Sequence, residues 1–133
     1  KTELMLLPGF WNAASNAWVE DGYQVGSATG NLAWAALALL TASERSDNPA
    51  YLQAAEKIMR WIDAYTKGDS DIGYTGGTFG HEPSPVKLDW KSTEHNLDVY
   101  AVASWLTESG DDKTWRTMQD RAGKFLTILF AGN

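Results

Sequence analysis

A contrast that occurs twice constrains this chain more than any other feature: a helix-length run that is apolar on every side, then a short break, then a run striped on one side. Asn31 opens the first such run, helix A, and Leu32-Ala33-Trp34-Ala35-Ala36-Leu37-Ala38-Leu39-Leu40 leaves it no polar face before it ends near Ser43. Asn48 then offers an N-cap and Pro49 a first helical residue for helix B, where Tyr51, Leu52, Ala55, Ile58, Met59 and Ile62 line one side, and Lys67 and Gly68 end it. Helix C, from Thr93 or Glu94 to about Glu108, repeats the character of A. Gly110 stops it, Asp111 or Asp112 caps helix D, and Trp115, Met118, Ala122, Phe125 and Leu129 make a stripe that repeats B. The copies align at a nearly constant offset: Asn31 to Asn96 is 96 − 31 = 65 residues, and Tyr51 to Trp115 is 115 − 51 = 64.

The repeated unit is a helical hairpin with an apolar inner helix and an amphipathic outer one, which buries its inner face by stacking on neighbours. The expected fold is therefore all-α, with essentially no sheet: hairpin 1 over about 31–67 and hairpin 2 over about 93–131, in a single domain or a fragment of a larger array. Long loops at 8–30 and 68–92 precede the inner helices, and short ones lie within the hairpins, so an up-down array puts both long loops on one end with the N-termini of A and C. The first is expected to hold a short helical turn near Ala13 to Val19. Two hairpins cannot cover both sides of A and C, which calls for the missing remainder of a longer chain or a homo-oligomer; three copies would supply six hairpins. A first residue of Lys rather than Met fits a processed or truncated piece.

Composition removes several function classes. A net charge of −6 with scattered Lys and Arg excludes a nucleic-acid partner, which needs a clustered basic face. The longest apolar run is half of the roughly 20 residues that span a bilayer, so no membrane helix is expected. With no Cys there is neither a disulfide nor thiolate chemistry, and the compartment stays open, a secreted or periplasmic location being slightly favoured. Two His are too few for a transition-metal cluster. Asp69-Ser70-Asp71-Ile72-Gly73 begins like a calcium loop, but its twelfth position is Gly80 rather than Glu, and Tyr74-Thr75-Gly76-Gly77 lacks the Lys-Ser/Thr pair of a phosphate loop. Neither a metal nor any other cofactor is expected.

Two segments carry a family resemblance. Ser27-Ala28-Thr29-Gly30-Asn31-Leu32-Ala33-Trp34 and Lys91-Ser92-Thr93-Glu94-His95-Asn96-Leu97-Asp98-Val99-Tyr100-Ala101, set in inner and outer hairpins, are similar to segments of the bacterial six-hairpin (α/α)6-toroid superfamily of glycoside hydrolases and their relatives. The resemblance covers nearly all of this chain but about two of the six hairpins. It implies a carbohydrate ligand and, where the scaffold is catalytic, a glycoside hydrolase, with a lyase, an epimerase or a non-catalytic glycan- or partner-binding module as alternatives.

Within that frame Glu94 is the first candidate. It stands at the mouth at the start of what is read as the most buried helix, where a carboxylic acid can protonate a leaving oxygen while a second carboxylate activates water or attacks. The helix N-terminus favours its anion, so a dipole-complementing role competes. Asp21 is the candidate opposite carboxylate, with Asp71 and Asp89 as substitutes and a turn-forming role the common fate of each. His95 and Asn96 are candidates to orient sugar hydroxyls. Asp98, one turn deeper than Glu94 on the same face, is read as structural or as a hydrogen-bonding support. Trp11, Trp18, Tyr74 and Trp90, in loops rather than on helical stripes, are the candidate sugar platforms, ahead of Trp34, Trp61, Trp105 and Trp115; loop-anchoring core is the competing role.

Overall fold

The computed structural model describes residues 9–20, 26–80 and 86–131. Four helices dominate it: α1 (Thr29–Glu44), α2 (Ala50–Tyr65), α3 (Thr93–Ser109) and α4 (Lys113–Ala131). α1 packs on α2 and α3 on α4 as two hairpins, and the hairpins meet through their inner helices α1 and α3. The boundaries follow local chemistry. Asn48 Oδ1 accepts the Ala50 N–H at 3.0 Å, Pro49 being in helical conformation just before α2, and Asp112 Oδ1 accepts the Thr114 N–H at 2.9 Å to start α4.

The core is what the two stripes and the small inner-helix residues leave between the layers. Ala33, Ala36 and Leu40 of α1 meet Val99, Val102, Ala103 and Leu106 of α3, with Met59 and Ile62 from α2 and Trp115 and Met118 from α4 closing the outside. Alanines on the inner helices let their backbones approach closely, which spreads the packing over many short contacts. Arg60 of α2 stacks its guanidinium 4.6 Å from the centre of the Trp115 ring and pairs with Asp112 at 2.7 Å, fastening the first hairpin to the start of α4.

Two expectations are corrected. The long loops contain short strands, so the expectation of essentially no sheet fails there: β1 (Gly9–Asn12) pairs with β2 (Ala17–Glu20), and β3 (Gly26–Ala28), β4 (Gly77–Phe79) and β5 (Val86–Lys87) form a second sheet. In place of a helical turn near Ala13, Asn12 Oδ1 accepts the Ala14 N–H at 2.9 Å and Asn16 takes a φ of 49°, making the turn of an antiparallel hairpin that sets Trp11 against Trp18. Helices α1 and α3 are also not buried on every side. Trp34, Ala35 and Ala38 on α1 and Leu97 and Ala101 on α3 remain exposed, because two hairpins cover only one side of the inner layer.

The second sheet joins the two long loops. Ser27 pairs with Thr78 and Ala28 with Gly77, and Gly77 holds a φ of 121° where a Cβ would stand 1.9 Å from the Ser27 carbonyl oxygen, so this register requires glycine. Beyond the sheet, the Thr29 N–H donates to Gly76 O at 3.0 Å and its hydroxyl to Thr75 O at 2.7 Å. These bonds replace the side-chain cap that α1 lacks. Both inner helices thus start at the same end of the molecule, beneath the second loop. Among the described residues no helix is long and apolar enough to cross a membrane.

Candidate functional site

The candidate site forms where α3 leaves the second loop. Ser92 caps the helix by accepting the His95 N–H at 3.4 Å, and Glu94 lies exposed in the first turn, where its charge complements the helix dipole. The His95 ring lies on the first turn of α1, so close that a Cβ on Gly30 would be 2.4 Å from its Cδ2. Trp90 leans on the other side of that ring, 5.4 Å between centroids and tilted 47°, and is itself seated on Gly76, whose added Cβ would come within 2.3 Å of the indole. Two glycines from different segments therefore make the room in which Trp90 and His95 stack. Trp90 keeps 52% of its surface open to solvent.

One turn below Glu94, Asp98 is buried, with 9% exposure, and its Oδ2 has no hydrogen-bond partner; neither has the buried Nδ1 of His95. Burial pushes the Asp98 carboxyl above the ordinary carboxylate range and the negative charge of Glu94 pushes it further, while His95 and the indole of Trp34 oppose the rise. Asp98 thus gives up its proton less readily than an exposed aspartate does. Sequence reasoning placed it only as a support and ranked Trp34 below the loop tryptophans. The available signal was an aspartate just ahead of the run Val99 to Ala103, which carries no charge.

Two other candidates are spent on structure. Asn96 is fully buried: its Oδ1 accepts the Tyr74 N–H at 2.7 Å, and its Nδ2 donates to Tyr74 O at 3.0 Å and to Ser92 O at 2.8 Å. That clamp fixes the second loop to α3 and leaves no amide edge for a sugar hydroxyl, which corrects the substrate-binding reading of Asn96. Tyr74 is also fully buried, its hydroxyl donating to Asp63 Oδ1 at 2.9 Å, so it anchors the loop and offers no stacking face. Burial and the Asp63 charge hold its phenol far above the ordinary range.

Of the carboxylates weighed as partners for Glu94, Asp21 lies outside the described residues. Asp71 is exposed and pairs with Lys124, whose hydrogen bond lowers its proton affinity; Asp89 is also exposed, on the edge shared by Lys87 and Lys91. Trp11 and Trp18, 58% and 43% exposed, face each other across the β1–β2 hairpin, which is held chiefly by its own strands. The segment with calcium-loop spacing carries built-in cations: the Lys91 ammonium donates to Ser70 Oγ and Ile72 O, Arg121 donates to Ser70 O, and Lys124 meets Asp71. Among the described residues no group of three His, Cys, Asp or Glu is placed to hold a metal ion.

No protein-family profile and no curated protein matches the chain. Among solved structures, it is similar to the crystal structure of a family 76 glycoside hydrolase from a bovine Bacteroides thetaiotaomicron strain, with a TM-score of 0.70 and 15% identity over 84% of this chain. The match spans 24% of that longer chain. The two hairpins, the inner-helix seam and the loops at its mouth therefore have the fold of part of an α/α toroid.

Proposed function

We propose that this chain is part of a bacterial six-hairpin toroid acting on poly- or oligosaccharide, and that it hydrolyses glycosidic bonds by carboxylate acid/base catalysis. The observation that carries the proposal is Glu94, exposed at the mouth, next in the chain to His95, against which the exposed Trp90 leans, and one turn above the buried Asp98. A carboxyl that gives or takes a proton at the glycosidic oxygen, an aromatic plane and a water-poor helix junction are what such hydrolysis needs. The solved α/α toroid that the chain resembles in fold is a glycoside hydrolase, which supports the same reading. In it Glu94 is the proton donor or an essential sugar contact, Asp21 the opposite carboxylate, and His95, Trp90, Trp11 and Trp18 contact the sugar. Away from Trp34, the exposed flanks of α1 and α3, at Ala35, Ala38, Leu97 and Ala101, are covered by the rest of the chain or by further copies.

In the intact protein, assayed on a panel of oligosaccharides, Glu94→Gln is expected to lower turnover by about 10²–10⁴ while leaving the melting temperature unchanged. Full activity in that variant would remove Glu94 from catalysis. The alternative, a module that binds glycan without cleaving it, draws on the exposed aromatic faces of Trp90, Trp11 and Trp18, which suit a sugar ring whether or not an acid pair stands beside them. Tight binding with no turnover on any substrate of the panel would select it. A lyase or epimerase would be recognised by its unsaturated or epimerised product.

A further inference from the structure

The seam between α1 and α3 holds an aromatic face outside the loops. Trp34 belongs to an inner helix, yet 60% of its surface is exposed. It stands one turn beyond Gly30 on α1, and Asp98 stands one turn beyond His95 on α3; since His95 lies on Gly30, and both helices start at the same end, Trp34 and Asp98 come together one turn deeper. The indole is close enough to influence the Asp98 carboxyl. Asp98 is itself nine-tenths buried with an unpartnered Oδ2. The exposed first turn of α3, carrying Glu94, is thereby bracketed by two indoles: Trp90 against His95 on the loop side and Trp34 beside Asp98 on the α1 side.

Resting on the carbohydrate reading of this mouth, we infer that Trp34 is the stacking face for an uncharged sugar ring at the α1–α3 seam, with Glu94 accepting its hydroxyls and Asp98 positioning the indole. The C–H face of a pyranose suits an exposed indole whose polar edge is turned toward a carboxyl, and the hydroxyl rim suits a neighbouring carboxylate. Charge sets the ligand class. Glu94 already stands exposed at this seam, one turn above the buried acid Asp98, and a uronate or sulfate would set a second negative charge against it. Lys91 of the adjoining loop and Arg121 and Lys124 of α4 are engaged with Ser70, Ile72 and Asp71. The chain as a whole carries 17 acidic against 11 basic residues, which disfavours an anionic ligand further.

Calorimetric titration of the intact protein tests this, using neutral gluco-, manno-, galacto- and xylo-oligosaccharides beside an oligogalacturonate. At least one neutral ligand is expected to bind, with the oligogalacturonate at least tenfold weaker. Trp34→Ala should weaken the neutral ligand tenfold or more at an unchanged melting temperature, and Trp34→Phe, which keeps a ring, should recover most of that loss. Asp98→Ala should reproduce part of the Trp34→Ala effect and add nothing to it in the double variant, while Asp98→Asn restores binding; additive losses would mean that Asp98 acts on stability alone. If Trp34→Ala leaves affinity intact while Trp90→Ala or Glu94→Gln lowers it, the carbohydrate reading stands and this site is overturned. Affinity intact with a lowered melting temperature or altered molecular mass would make Trp34 a packing face, again overturning it. Equal or tighter binding of the oligogalacturonate overturns the ligand class, and no binding of any sugar overturns both readings.

Discussion

The two inner helices begin as near repeats in sequence and end as opposites in environment. At an offset of 65 residues, Gly30 corresponds to His95 (95 − 30), Asn31 to Asn96 (96 − 31) and Ala33 to Asp98 (98 − 33). On α1 these positions supply space: Gly30 admits a ring, Ala33 is buried without bulk, and Asn31 faces solvent. On α3 they supply chemistry: His95 fills the space, Asn96 clamps a loop and Asp98 buries a carboxyl. One repeat is the socket of the other, so the site is a property of the pair.

The sharpest way to break this comparison is to remove the same amide from both helices. Asn96→Ala abolishes three hydrogen bonds, two of them fully buried, and strands the Tyr74 N–H, so chemical denaturation should report a loss of about 3 kcal/mol or more, whereas Asn31→Ala should change stability by less than about 0.5 kcal/mol. Equal effects would show that burial does not separate the two. A smaller effect is expected from filling the socket. Gly30→Ala sets a methyl against the His95 ring at a cost of about 1–3 kcal/mol, of which up to about 1 kcal/mol is regained as helix propensity. The His95 ring resonances should shift in the same variant. Unmoved resonances would mean that the ring does not sit where Gly30 makes room.

The smallest effect concerns pH. Because the folded Asp98 carboxyl is raised above its unfolded value, the native state keeps a proton that the unfolded chain releases, and stability is lost as pH rises from the ordinary carboxyl range through the raised folded value. Asp98→Asn removes that dependence. Its unfolding midpoint should match the wild type at low pH and move ahead of it as pH rises through that window. A parallel offset at every pH would assign the effect to packing.

Most of the helical frame was legible because its causes are local. A 3.6-residue stripe, an asparagine before a proline and an aspartate before an apolar run act within a few residues, and α2 and α4 start where Asn48 and Asp112 say. The strands were missed because β1 and β2 have four residues each and β3–β5 fewer, too short to show alternation; their pairing is decided by turn geometry at Asn12 and Asn16 and by a partner about 50 residues away. Glu94 and Trp90 were legible as mouth residues from the loop-to-helix junction. The fates of Asn96, Tyr74, Asp98 and Trp34 were not, since each depends on which neighbour lies across a helix seam, and a polar residue in an apolar run reads the same whether it clamps a loop, retains a proton or waits for a ligand.

The glycine-ring contacts bear on how this sequence can drift. Gly30 and His95, and Gly76 and Trp90, each divide one volume between two distant positions, so neither member can enlarge unless the other shrinks. In a family of descendants the positions should trade size in step, appearing as covarying pairs 65 and 14 residues apart (95 − 30 and 90 − 76). Recombination feels the same tie: a chimera joined between the hairpins parts Gly30 from its ring, while one joined after the second inner helix inherits both contacts whole.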